Sequence, residues 1–99
     1  NALAGVLDIY GQIAAHGQRL QEIERERNAI YKQQQQIQGS LGPLGREGEE
    51  GALRSRYVAT LGELEDRLGA LSGEEQRLGA ENARLEQEAG KQLAALAER

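Results

Sequence analysis

The amino-acid sequence predicts an all-α fold, an antiparallel two-helix coiled-coil hairpin. Three observations carry that prediction. The 99-residue chain has no Phe, Trp, Met or Cys and only three tyrosines, so it lacks the large side chains that fill a globular core at native density. Leu, Ile and Ala are interspersed with Glu, Gln and Arg, the composition of long helices. Two largely apolar runs with unbroken 3-4 spacing flank one glycine-rich stretch that holds the single proline.

The first run is Val6, Ile9, Ile13, His16, Leu20, Ile23, Arg27, Ile30, Gln34 and Ile37. With Val6 at heptad position a and Ile9 at d, it predicts a helix over residues 2–38 whose narrow seam must be buried against a partner. Leu3, Leu7, Tyr10 and Ala14, spaced 4-3-4, form a second apolar stripe beside that seam.

Residues 39–49 supply the turn. The stretch "GSLGPLGREGEEG" places glycine at every third position from Gly39 to Gly51, which is also the period of collagen. About four triplets with one proline, between two helix-forming flanks, cannot make a triple helix. Gly39 suits the position after a last helical residue, and Pro43 cannot sit in a helix interior. Glu47, Glu49 and Glu50 fall where carboxylates favour the positive end of a following helix.

The second helix is predicted over 50–98, from Tyr57, Leu61, Leu64, Leu68, Leu71, Glu75, Leu78, Asn82, Leu85 and Ala89, with Leu61 at a and Leu64 at d. Gly62, Gly69, Gly73, Gly79 and Gly90 interrupt it, mostly at outward b, e or f positions, and each costs ~1 kcal/mol relative to Ala. They serve no packing along the seam. A short connection makes the two helices antiparallel neighbours.

Antiparallel heptads allow registers one heptad apart. The expected one pairs Ile30 with Leu61, Ile23 with Leu68, Leu20 with Leu71 and Ile13 with Leu78. It also sets His16 opposite Glu75, so that two polar seam residues share one layer and fix the register. On the flank, Arg19 then meets Glu74 and Glu26 meets Arg67, whereas a shift of one heptad sets Arg19 against Arg67 or Glu26 against Glu74. Glu24 lies near Glu65 in this register, the one unfavourable contact. Arg27 is expected to run along Leu64, and Gln34 to reach the Tyr57 hydroxyl. Residues 90–99 pass beyond the pairing range.

The composition narrows the functional classes. A formal charge of −4 opposes nucleic-acid binding, and Lys32, Arg46, Arg54 and Arg56 are offset by nearby acids and lack interleaved aromatics. No apolar run approaches the ~20 residues of a transmembrane helix. One histidine and no cysteine make no transition-metal site, and no acid, base and nucleophile can be assembled into a catalytic or cofactor-binding centre. The acidic turn resembles in shape alone the coiled-coil tip of bacterial transcript-cleavage factors. The informative signal lies at the hairpin base. Leu3, Leu7, Tyr10, Ala14, Leu93 and Leu96 offer more apolar surface than a helix pair covers, which marks a contact with another domain or subunit.

The segment "GALRSRYVATLGELEDRLGAL" (51–71), preceded by "QQQQIQGSLGPLG", carries an LR-x-RYV and then an EDRL-x-x-L motif. Over residues 25–80 this resembles the C-terminal coiled-coil region of uncharacterised bacterial proteins related to the mucoidy inhibitor family. The resemblance implies an envelope-associated or scaffolding role and no catalysis. The expectation is therefore a non-enzymatic spacer, oligomerisation or docking module, part of a larger bacterial protein. It would contact the rest of that protein or a second copy through its base, with two copies forming a four-helix assembly. The alternative is a nucleic-acid- or polymerase-binding arm of an enzyme.

Overall fold

The computed structural model describes residues 1–98 and shows an all-α helical hairpin of two helices. Helix α1 spans Ala2–Leu41 and helix α2 spans Gly48–Ala97. All twenty seam positions named above are buried or half-buried, as the 3-4 spacing requires. Among the described residues the buried apolar side chains are Val6, Ile9, Ile23, Ile30, Leu71, Leu85 and Ala89, with Ile23 and Leu71 fully enclosed.

The helix ends are set by local hydrogen bonds. Asn1 caps α1, its side-chain oxygen accepting from the Ala4 amide at 2.8 Å. Helix α1 runs through Gly39 to Leu41, three residues past its expected end at 38. Two bonds support the extension: Ser40 Oγ donates to the Gln36 carbonyl at 3.0 Å, and the Arg54 guanidinium donates to the Leu41 carbonyl at 2.9 Å. That cationic donor satisfies a carbonyl that would otherwise be free at the negative helix end, which removes the need for a glycine stop at 39.

The turn is accordingly shorter than 39–49. The Leu44 amide donates to the Leu41 carbonyl at 3.1 Å, and α2 begins two residues earlier than expected, at Gly48. Gly48 has φ +65°, a conformation that strains other residues. At Gly51 a Cβ would stand 2.5 Å from the Arg46 carbonyl oxygen, so the turn backbone can lie this close only to glycine. Glu49 and Glu50 occupy the first turn of α2, at its positive end.

The chain packs as two units. The terminal unit combines residues 1–23 with α2 from Gly73 onward, and the loop unit comprises Glu24–Ser72. In the terminal unit, Ile9, Leu85 and Ala89 form a buried cluster with Ile13 against it. Ala2, Gln92, Ala95 and Leu96 line an open apolar hollow. In the loop unit, Gln34 Nε2 donates to Glu65 Oε1 at 2.8 Å, so Gln34 pairs with this carboxylate instead of reaching Tyr57 as expected.

Candidate interaction surface

The expected register is corrected by one contact. His16 Nδ1 lies 2.7 Å from Asn82 Oδ1, so the polar layer of the terminal unit joins His16 to Asn82 and not to Glu75. This is the alignment one heptad further on. It fits the cluster of Ile9 and Ile13 with Leu85 and Ala89, and it brings Ala2 to Leu96 at the helix ends. Leu96 is therefore half-buried within the pairing range, not beyond it.

Both flanking pairs nevertheless form. Arg19 Nε donates to Glu74 Oε2 at 2.6 Å, and its terminal nitrogen donates to Oε1 at 2.7 Å. In the loop unit, Arg67 donates to the two oxygens of Glu26 at 2.5 and 3.0 Å. Each g side chain stands between two g residues of the facing helix, one heptad apart, and a long arginine selects the acid. Charge pairing thus suits two registers equally, and it could not choose between them. The expected approach of Glu24 to Glu65 is replaced by favourable partners: Arg27 binds Glu24 at 2.8 Å, and Glu65 accepts from Gln34.

In each unit the Arg19–Glu74 or Glu26–Arg67 pair joins g positions, on the flank formed by g and c. In the terminal unit that flank includes the Arg19–Glu22 and Arg84–Glu81 pairs as well. The Glu74 and Glu22 carboxylates raise the Arg19 pKa above its ordinary value, and the Arg84 guanidinium lowers that of Glu81. Of the fifteen g and c positions in this unit, ten are charged.

The other flank, formed by e, b and f positions, has the opposite character. Nine such positions on α1 within the terminal unit carry no charge, and eleven on α2 carry only Glu86. Leu3 (58% exposed), Leu7 (69%), Tyr10 (47%) and Leu93 (41%) stand open on it, with exposed Ala14 in the same stripe. The register places Leu3 level with Leu93 across the seam, so the α1 stripe and Leu93 form one surface. In the loop unit Tyr31 and Val58 are exposed at e positions, but Glu24, Arg25, Lys32, Glu65 and Asp66 charge its e and f positions, so the uncharged flank belongs to the terminal unit.

Outward glycines share the e and b positions of each unit, as their heptad labels could have revealed. Gly62 and Gly69 occupy b positions in the loop unit. Gly17 and Gly79 at e, with Gly90 at b, lie on the terminal unit's flank. At none of these five does a Cβ meet an atom within 4 Å. No contact inside the hairpin requires them.

Among the described residues, no group of three His, Cys, Asp or Glu side chains could hold a metal ion, and no buried side-chain polar atom lacks a hydrogen bond. No helix of the described residues is long and apolar enough to cross a membrane. No protein-family model matches the chain, and neither a curated protein nor a solved structure shows significant similarity to it.

Proposed function

We propose that this chain is a non-enzymatic structural module of a larger bacterial protein, a helical arm that docks or oligomerises through its uncharged flank. The observation that carries the reading is the one-sided placement of Leu3, Leu7, Tyr10 and Leu93 on a flank of the terminal unit where the only charge is Glu86. Solvated helix faces are normally polar, and contiguous exposed apolar surface marks a binding site. The core supports the same reading, because seven buried apolar side chains are few for ninety helical residues. A partner on this flank would supply burial that the hairpin lacks. The resemblance of residues 25–80 to envelope-associated or scaffolding coiled coils points the same way.

The competing role as a nucleic-acid arm rests on Arg46, Arg54 and Arg56 around the turn. Arg54 is engaged with the Leu41 carbonyl, and Glu47, Glu49 and Glu50 follow Arg46 closely in sequence. The test is titration of a labelled DNA duplex and a labelled RNA hairpin at about 50 mM salt, where phosphate contacts are strongest. The expected result is no saturable binding. Micromolar binding that weakens steeply with salt would overturn the interaction-module reading in favour of the nucleic-acid arm.

A further inference from the structure

We propose that the occupant of the uncharged flank is a second copy of this chain, packed about a two-fold axis so that α1 lies antiparallel on α1 and α2 on α2. The proposal rests on the reading of this flank as an interaction surface and names its partner. The first argument is direction. The midline between e and b lies about 100° round the helix from the a/d seam, close to the right angle at which a second hairpin completes a square four-helix bundle.

The second argument is size complementarity. Along the α1 stripe the large residues come first and the small ones after: Leu3, Leu7 and Tyr10, then Ala14 and Gly17. Antiparallel e-to-b layering about a two-fold level with Gln12 sets Leu7 against Gly17 of the second copy and Tyr10 against Ala14. The intramolecular register puts that same level near Arg84 and Leu85 on α2, where the axis sets Gly90 against Gly79 of the second copy. One axis therefore matches large to small on α1 and allows the α2 backbones to approach closely. The glycines, idle within the hairpin, gain a role, since nothing of their own chain lies within 4 Å of the space a Cβ would take.

The third argument is charge and area. Glu86 is the single charge on this face of the terminal unit, so two copies bring few ionised groups together. The face runs about 30 Å along ~20 residues of helix and is two helices, about 20 Å, wide. That is about 600 Å² in projection, and a corrugated surface has more accessible area, near the ~800 Å² per partner of a stable interface.

The test is sedimentation equilibrium of the 10.8 kDa chain and two variants, up to about 1 mM protein and in about 0.5 M salt. The expected result is a dimer that survives the salt. Gly17→Leu should weaken it at least tenfold, because the new side chain occupies the space of Leu7 from the second copy. That variant improves helix propensity and meets no atom of its own chain near the Cβ, so a loss of folding is not expected. Ala15→Leu, an exposed c position on the charged flank, should leave the dimer unchanged. Spin labels on Ala14→Cys and Gln21→Cys then read the arrangement. About 10 Å between labels at 14 and about 30 Å at 21 supports the antiparallel two-fold.

A monomer at all concentrations overturns the second copy as occupant, while absent nucleic-acid binding would leave the interaction-module reading standing. A dimer indifferent to Gly17→Leu overturns the face. Equal label distances at 14 and 21, as in a parallel pair with α1 on α2, overturn the two-fold proposed.

Discussion

His16 and Asn82 share one polar layer of the seam, the imidazole Nδ1–H donating to the Asn82 amide oxygen at 2.7 Å. Apolar layers tolerate a slip of one heptad, since Leu and Ile recur at each repeat. A polar pair does not, because a slip leaves its donor facing a new neighbour. This pair therefore acts as the register key. Asn82→Leu should lower unfolding stability by about 1 kcal/mol, the cost of leaving a half-buried donor without its protein acceptor. The His16→Leu/Asn82→Leu double variant should gain about 1–2 kcal/mol from the added apolar burial. It should also lose register specificity, read as disulfides forming in more than one alignment between cysteines placed on the two helices. Urea unfolding followed by far-UV circular dichroism measures the first effect. A single Asn82→Leu variant more stable than wild type would remove the register-key role.

Much of this fold was legible because it is periodic. The 3-4 spacing located twenty buried or half-buried seam positions, though not Leu96, and heptad geometry named the Arg19–Glu74 and Glu26–Arg67 pairs. Register was harder to read. The g-position charges fit two alignments, and the one adopted shows in the amide–imidazole contact of Asn82 with His16, which periodicity does not express. The end of α1 was missed for a similar reason, since the donor to Leu41 comes from Arg54, thirteen residues away across the turn. The uncharged flank of the terminal unit was half visible. Leu3, Leu7, Tyr10 and Ala14 formed an evident stripe, but the glycines of α2 joined it only once e and b were known to face one way.

The Arg19–Glu74 and Glu26–Arg67 pairs should bias alignment more than they stabilise. Arg19 and Glu74 side chains are 32% and 29% exposed, and those of Arg67 and Glu26 are 49% and 36% exposed, so water and salt screen both pairs. Glu74→Gln and Glu26→Gln should each cause a small drop in urea midpoint at low salt that vanishes by about 1 M salt, where the screening length is ~3 Å. Charge reversal at one partner, Arg19→Glu, should cost more than either neutralisation and should be rescued by Glu74→Arg. Lack of rescue in that double variant would show that the pair does not couple the helices.

The acid limb of stability should reflect Glu81. Its carboxyl is held below the usual glutamate value, first by the hydrogen bond from Arg84, with further Coulombic lowering by Arg84 and His16. A carboxyl whose folded pKa is depressed contributes stability at pH above its unfolded value of about 4.5 and loses it as pH falls through the lower folded value. Glu81→Gln should therefore flatten part of the stability loss below about pH 4.5 and change little below the folded pKa, where both proteins carry a neutral side chain. The effect should be modest because the group is exposed. Urea midpoints at intervals between about pH 2.5 and 6 measure it, and a parallel curve for the variant would exclude Glu81 as a contributor.

The glycines of the turn and those of α2 should respond in opposite directions to the same substitution. Gly51→Ala forces a methyl against the Arg46 carbonyl oxygen, a backbone atom at 2.5 Å, so the turn must rearrange. Gly48→Ala must hold φ near +65°, which costs an L residue about 1–2 kcal/mol. Both variants should lower stability, Gly51→Ala by about 1–3 kcal/mol, within the range for a forced backbone conflict. Gly62→Ala and Gly69→Ala add a methyl to open space in a helix interior and should each raise stability by up to ~1 kcal/mol. If two copies do approach through their e and b positions, the gains at Gly79 and Gly90 should appear only in the dissociated chain at low concentration and reverse at high concentration. A concentration-independent gain at all four α2 sites would mean that no helix comes close to them.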